Sequence, residues 1–410
     1  MRILMIAPEP VKAPRGTPIS VVQRLSALSS LGHQVDLLTY PLGEDILIPQ
    51  VRIYRSPRVP GIHDIKPGPS WRKAVLDVFM FAEAFKMLVV RRYDAIHSHE
   101  EAAFFATLMS GIFRTKHIYD MHSSLPRQLL NFPYGRIRPL VSLFVMLERW
   151  TLRKADMVIT IDQDLAEYVR LSSPGTPQVT IENLPVQSMT NGDIPQPSGD
   201  SLKDTLGIDG KLPIVYTGNF AGYQGLDLLI DAAELVRREN PNVVFVLVGG
   251  IPHRIEYWKE VVRGRGLEDD FRFVGTVDIE QVPNYLDLAE ILVSPRTDGT
   301  SIPLKIYSYM LSGKPIVATR VLSHTQVLDD NVSLLAEPVK EDFASAIIRL
   351  AAEPSLRSQI GRSAAKMVEE RSNMTDYVRR VDYGLRRLNG SDSNESLRVG
   401  TPETSSTPSE

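Results

Sequence analysis

VSPRTDGTSIPLKIYSYMLSGKPIVATR, residues 293–320, reads as strand, loop, short helix, turn and strand, with its polar residues gathered at one end. The apolar run 291–294 suits a buried strand, and Pro295, with no N–H to give a ladder, ends it. A loop over 296–301 leads into a helix. Ser301 is placed to cap that helix, Pro303 to sit in its first turn where the missing N–H costs nothing, and Gly313 to stop it in the left-handed conformation. Leu304, Ile306, Tyr307, Met310 and Leu311 are apolar, whereas Lys305, Ser308 and Ser312 share one face. A helix N-terminus after a strand, with free N–H groups, small residues before it and a lysine in reach, suits a phosphate. A solvated stripe on a packing helix is the plainer alternative, and the stretch alone leaves both open.

The same alternation runs through the chain. Residues 2–7 form an apolar run, 8–17 a loop, and Ile19, Val22, Leu25 and Leu28 have helical spacing, with Thr17 as N-cap, Pro18 as first helical residue and Gly32 as stop. A strand at 34–39 completes a βαβ unit, which implies a parallel sheet. Strands are expected at 51–55, 95–98, 116–120 and 157–161, with helices at 71–91, from 101 and over 137–154. Residues 187–211 are rich in Pro, Gly, Ser and Asp and read as a connection. Beyond it, strands at 213–217, 243–248, 271–274, 291–294 and 316–319 alternate with helices at 226–238, 255–265, 282–288 and 303–311. The expected fold class is α/β. Two doubly wound parallel-sheet (Rossmann-like) domains, 1–186 and 212–371, face a central cleft, with a linker at 187–211, a last helix at 372–388 and a disordered tail at 389–410.

Length and charge agree. A chain of 410 residues exceeds one typical core and divides naturally in two. A net charge of −3 gives no bulk attraction to nucleic acid, and the absence of cysteine excludes disulfides and thiolate metal sites. The apolar run at 3–7 is too short for a signal peptide, 75–90 is broken by Asp77, Glu83 and Lys86, and 139–146 is too short to span a bilayer. A soluble cytoplasmic protein is expected. Residues 129–150 mix Arg136, Arg138 and Arg149 with Phe132, Tyr134, Leu140, Phe144 and Trp150. The first reading is a core-facing helix with a basic outer edge; the second is peripheral contact with headgroups at the inner membrane face.

PLKIYSYMLSGKPIVAT, residues 303–319, resembles the donor-site segment of glycosyltransferase family 4, retaining nucleotide-sugar enzymes of the GT-B fold. The resemblance implies a fold of two facing α/β domains, a nucleotide-sugar donor substrate with no further cofactor, and a glycan or lipid-linked acceptor. In that family two glutamates with seven residues between them bracket the loop and helix. Here Thr300 and Ser308 occupy those positions, while the Thr300, Ser301, Ile302 and Pro303 loop is kept.

In open α/β sheets ligands sit beyond the carboxyl ends of strands, so four loops are candidates. After the first strand come Arg15, Gly16 and Thr17; Gly16 lets backbone approach a phosphate, although an ordinary βα turn has the same sequence. His122 follows another strand and resembles the family's interdomain histidine near the donor sugar. His99 and Glu100, with His97 and Glu101, end a further strand and are candidates for an acceptor pocket; alternating strand faces argue against joint metal coordination, so no metal site is expected. Gly218, Asn219 and Gln224 form the third loop. The resemblance places an Arg and a Lys at the last two positions, and amides cannot neutralise a diphosphate, so Lys305 or Arg296 must supply the charge. Gly275 and Thr276 lie in the fourth loop, whose backbone faces the base in the family. The resemblance implies a retaining sugar transfer with His122 and Lys305 in the chemistry. A catalytically weak binding or partner subunit, prompted by the four lost charged residues, and a sugar-nucleotide epimerase are the alternatives.

Overall fold

The computed structural model describes residues 1–11, 16–62, 65, 70–130, 133–185, 199–371 and 373–390. Its first unit runs β1 (Arg2–Ala7), α1 (Gly16–Ser30), β2 (Gln34–Thr39), β3 (Val51–Arg55), α2 (Trp71–Val90), β4 (Ala95–His99), α3 (Ala102–Phe113), β5 (Lys116–Met121), α4 (Leu125–Leu130), α5 (Arg138–Lys154), β6 (Met157–Thr160), α6 (Gln163–Ser172) and β7 (Gln178–Thr180). The strands are parallel in the order β3-β2-β1-β4-β5-β6-β7. Order reverses beside β1, which opens a crevice at the carboxyl ends of β1 and β4.

The second unit runs α7 (Gly199–Leu206), β8 (Leu212–Thr217), α8 (Leu226–Glu239), β9 (Val243–Val248), α9 (Pro252–Gly264), β10 (Phe271–Gly275), α10 (Val282–Leu288), β11 (Ile291–Ser294), α11 (Leu304–Leu311), β12 (Ile316–Thr319), α12 (Leu322–Thr325), β13 (Leu334–Ala336), α13 (Lys340–Ala352), α14 (Pro354–Arg371) and α15 (Met374–Leu388). Its parallel sheet has the order β10-β9-β8-β11-β12-β13, reversing between β8 and β11. The fold class is the expected one.

Both sheets are buried on two faces, which is why their central strands read as continuous apolar runs. In the first, α1 and α15 cover one face, with Leu25, Leu28, Tyr377 and Val381 in one cluster. Met80 of α2 and Met109 of α3 pack on the other. The last helix thus returns to the first unit, where the Arg24 guanidinium stands 5.2 Å from the centre of the Tyr377 ring.

Several expectations change. The connection at 187–211 contains α7, whose Leu202 and Leu206 pack on the second core; residues 186–198 and the tail from 391 lie outside the described residues. Helix α11 starts at Leu304, with Pro303 extended in the cap position and no side-chain cap bond, so Ser301 does not cap it. Thr17 does not cap α1 either: the helix includes Gly16, and the Thr17 hydroxyl donates to Glu100 Oε1 at 3.1 Å. Gly313 does stop α11, at φ +69. Helix α5 is not core-facing along its length, since Leu143 and Met146 are exposed. No described helix is long and apolar enough to cross a membrane.

Candidate active site

The loops after β8, β9 and β10 lie against one another. Gly249 N donates to Gly275 O at 2.7 Å, and the Thr276 hydroxyl to Gly250 O at 2.8 Å. At Gly249, φ is +115 and a Cβ would stand 2.1 Å from Gly218 O, so only glycine lets these two strand ends approach. Sequence reasoning missed Gly249 and Gly250, although a Gly-Gly pair directly after a buried strand is the available signal.

Lys305 projects from the first turn of α11 to this floor. Its Nζ is 4.0 Å from the centre of the Tyr216 ring and donates to Gln224 Oε1 at 3.4 Å. The Tyr216 hydroxyl in turn lies 2.7 Å from Asn219 O and 3.3 Å from Gln224 Oε1. Burial, reinforced by the charge of Arg296, holds the Lys305 amine well below the usual lysine range. Lys305 makes no ion pair among the described residues. The structure therefore brings Gly218, Gln224 and Lys305 together, with Gly275 and Thr276 alongside.

Arg296 has a different position. Its Nε donates to Asp298 O at 2.6 Å and its Nη1 to Ser301 O at 3.1 Å, while the guanidinium covers the Tyr223 ring at 5.1 Å. A Cβ at Gly299 would strike that guanidinium at 2.1 Å. Arg296 shapes the loop that precedes Lys305. Ser308 is buried rather than lining an open polar stripe, and Asn219 uses its side chain to accept from Ala221 N at 3.2 Å. Thr300 is exposed.

In the first unit, the ends of β4 and β5 carry a buried network. Asp120 Oδ2 accepts from Arg24 Nε at 2.9 Å and pairs with His97 Nε2 at 3.0 Å; His99 Nδ1 and His122 Nε2 are 3.0 Å apart, and Asp120 Oδ1 is 3.6 Å from His122 Nε2. Burial alone would raise the Asp120 carboxyl, but Arg24 and the histidines hold it well below the usual range. Burial lowers His97, His99 and His122, which therefore rest neutral near pH 7. Sequence reasoning had His99 and His122 but not Arg24 or Asp120, which lie 96 residues apart in sequence.

The expectation that strand alternation separates these groups is corrected: His97 and His99, two apart on one strand, share a face, and with Asp120 they offer ligand atoms within 4.8 Å of one another. Their ring planes are nevertheless within 13° of parallel, and those of His99 and His122 within 23°. In-plane lone pairs of near-parallel rings do not converge on one ion, and Arg24 already meets the carboxylate. The geometry is that of a hydrogen-bonded network.

Glu100 sits beside it with φ +48, a conformation uncommon for a non-glycine residue. Burial, with Glu101 nearby, pushes its carboxyl up to about 8. Gly16 is the exposed first residue of α1, next to Thr17, and Arg15 lies outside the described residues.

The two carboxyl edges meet. Gln326 Nε2 donates to Thr300 O at 2.5 Å, and its Oε1 accepts from Asp164 N at 3.2 Å. Burial pushes the Asp162 carboxyl up to about 6 against the pull of the Leu165 and Ile302 amides. Asp162 follows β6, the neighbour of the strand that delivers His122, and Ile302 is three residues before Lys305. His122 and Lys305 thus lie on opposed edges.

Two parallel α/β units with opposed carboxyl edges are the GT-B architecture of glycosyltransferases. The chain belongs to that class: residues 211–353 match the family described as glycosyl transferases group 1, and residues 16–184 match the glycosyl transferase 4-like domain. It is 25% identical over 283 residues to the α-D-kanosaminyltransferase of Streptomyces kanamyceticus, covering 66% of this chain and 72% of that one. It is 24% identical over 340 residues to the phosphatidyl-myo-inositol mannosyltransferase of Mycobacterium tuberculosis H37Rv, covering 80% of each. Among solved structures, sucrose-phosphate synthase from Thermosynechococcus elongatus superposes with a TM-score of 0.76 at 21% identity, over 95% of this chain and all of that one. Anabaena HepE, solved with UDP-glucose, gives 0.72 at 19%, over 94% and 100%.

Proposed function

We propose that this glycosyltransferase moves a sugar, with retention at the anomeric carbon, from a nucleoside-diphosphate donor to an acceptor hydroxyl. The observation that carries the proposal is Lys305: an amine without an ion pair among the described residues, held over Tyr216 beside Gln224, at the mouth of three stacked strand-end loops. A departing diphosphate there gains a cation and backbone N–H groups in a water-poor cleft, where such interactions are strongest. Lys305 takes the place of the charged pair whose positions hold Asn219 and Gln224. Charge on the leaving group is met by Lys305 and the Gly16 and 300–302 amides, so no metal or further cofactor is assigned to the step.

His122 faces this edge from the first unit and orients the donor sugar, with His99 and Glu100 on the acceptor side. Contact through Gln326, Thr300 and Asp164 closes the cleft and keeps water from the sugar. That HepE was solved with UDP-glucose supports a nucleotide-sugar donor. One relative is named for a phosphatidyl-inositol acceptor, which supports a glycan or lipid-linked acceptor met by a peripheral protein at the cytoplasmic face of a membrane.

The test is incubation of the purified protein with a panel of nucleotide sugars, followed by mass spectrometry for free nucleoside diphosphate and glycosylated acceptor. Lys305→Met should abolish turnover. Failure of every nucleoside diphosphate to bind in calorimetry would sink the transferase reading in favour of a partner subunit.

A further inference from the structure

The outer layer of the first unit is made of α2, α3 and α5 side by side. Phe81 meets Phe105 at 5.9 Å and Phe85 meets Phe113 at 5.3 Å between α2 and α3, and Phe104 meets Phe144 at 5.8 Å between α3 and α5. With their inner faces so used, the outer faces of these helices should be polar. They are not. Phe79 and Val89 on α2, Leu108 and Ile112 on α3, and Leu143 and Met146 on α5 are exposed, Val89 at 64%, Met146 at 59% and Ile112 at 57%. Three adjacent helices showing apolar side chains outward form one patch, which a monomeric surface rarely leaves bare.

The charges in this layer have one sign on the outside. The carboxylates of the three helices are Asp77, Glu83 and Glu148, and none is exposed. Glu148 is buried on Ser124 and Leu125 N, Asp77 accepts from the Tyr40 hydroxyl at 2.6 Å, and Glu83 pairs with Lys86 at 3.1 Å. Helix α3 has no charged residue. By contrast Arg138, Arg149, Arg153 and Lys154 of α5 are all exposed. Leu143, Met146, Arg149 and Arg153 are spaced three, three and four apart, so apolar and cationic side chains share one stripe. A hollow of about 310 Å³ opens where α3 and α5 end, lined by Arg114, Lys116, Lys154 and Asp156, with Ser110 and Gly111.

We infer that the α2–α3–α5 face docks on an anionic lipid bilayer, with Leu143 and Met146 entering the acyl boundary and the arginines of α5 on lipid phosphates. A second copy of the chain would bring like charges together across the patch, whereas anionic headgroups complement them. The hollow between Arg114 and Lys154 has the size and sign for a phosphate headgroup. Helix α5 begins at the cleft edge, since it follows β5 and α4, and ends at the far edge before β6. A bilayer on this face therefore lies beside the carboxyl edge that carries His122. The surface shares no residue with the donor site, so this inference and the sugar-transfer reading can fail separately.

The experiment is flotation of the full chain with vesicles of phosphatidylcholine alone or with phosphatidylglycerol at about 30%. Binding to the anionic vesicles only, released by about 0.5 M salt, is expected. The triple variant Phe79→Ser, Leu143→Ser, Met146→Ser should bind about tenfold or more weakly, with nucleoside-diphosphate affinity unchanged as the control for folding. Arg149→Glu with Arg153→Glu, at exposed positions, should weaken binding at least as much, since each cation near such a surface is worth about 1 kcal/mol and here is reversed. Absence of binding to anionic vesicles, or wild-type binding by both variants, overturns the inference. So does a dimer in light scattering that the triple variant dissociates without any vesicle binding, because the face is then the seat of a second copy.

Discussion

Lys305 Nζ stands 4.0 Å from the centre of the Tyr216 ring, so among the described residues this amine rests on an aromatic face instead of a carboxylate. That choice leaves the amine available to an incoming anion. A charge-assisted hydrogen bond to a buried phosphate is worth about 1.5–3 kcal/mol, so Lys305→Met should weaken nucleoside-diphosphate binding by roughly 10–100-fold by calorimetry. Tyr216→Phe keeps the ring and loses only the hydroxyl near Asn219 O and Gln224, and should cost roughly tenfold or less. Equal affinity for wild type and Lys305→Met would remove the residue from the donor site.

Proton uptake on binding follows from the same burial. In the free protein the Lys305 pKa is held well below its ordinary value, and a diphosphate beside the amine raises it. The complex then carries up to one more proton than the free protein, so affinity falls as pH rises between the two pKa values. Titration of nucleoside diphosphate in buffers of different ionisation enthalpy should show uptake in wild type and none in Lys305→Met. Release of protons, or uptake retained in the variant, would contradict the assignment.

The sheets were legible because strands buried on both faces are continuous apolar runs between Gly and Pro punctuation: 2–7, 243–248 and 291–294 all form strands nearly where expected. The three-residue strands β7 and β13 were not, because runs that short carry no period. Lys305 and Gln224 were legible individually through the family likeness, yet their contact, 81 residues apart, was not. Arg24 and Asp120 were invisible for the same reason. An arginine in the middle of an amphipathic helix reads as solvated, and only the end of β5 and the Tyr377 ring from α15 make it a buried ion pair. Ser301 and Thr17 read as caps because local rules favour them, and tertiary partners decided otherwise.

Glu100 stores an unfavourable charge. Its carboxyl is pushed up to about 8 from an ordinary 4.5, chiefly by burial and then by Glu101. A folded pKa above the unfolded one means the contribution to stability is complete below about pH 4.5 and is lost as pH rises through 8. Glu100→Gln keeps the acceptor for the Thr17 hydroxyl and cannot ionise. It should stabilise the protein by on the order of 3–4 kcal/mol at pH 7–8 and by almost nothing at pH 4.5, since each tenfold change in proton affinity on folding is worth about 1.4 kcal/mol. Urea midpoints at the two pH values check this. If Glu100 serves the acceptor, transfer falls while nucleotide affinity is kept; a stability gain equal at both pH values would show that its charge is not the cause.

Gln326 joins the two carboxyl edges through one end of its amide, taking a hydrogen bond from Asp164 N across the seam, while the other end donates to Thr300 O within its own unit and holds the side chain in place. Neither partner is a side chain, so the bridge survives substitution at 164 or 300 and is removed only at 326. Only the bond to Asp164 N crosses the seam, and one such bond is worth about 0.5–1.5 kcal/mol, enough to shift an open–closed equilibrium by roughly 2–10-fold. Asp162, raised to about 6 by burial, lies at the same seam. With its folded pKa above the ordinary 3.8, burial of the closed seam is most favourable below that value and weakens as pH rises through 6. Gln326→Ala should therefore open the cleft, measurably as a larger radius of gyration in solution scattering at pH 8 than at pH 5. It should also raise hydrolysis of the nucleotide sugar relative to transfer, because water enters where the edges part. Asp162→Asn, neutral at every pH, should remove the pH dependence while leaving the bridge in place. A Gln326→Ala protein that scatters and partitions product like the wild type at both pH values would show that the cleft is held shut by something other than this amide.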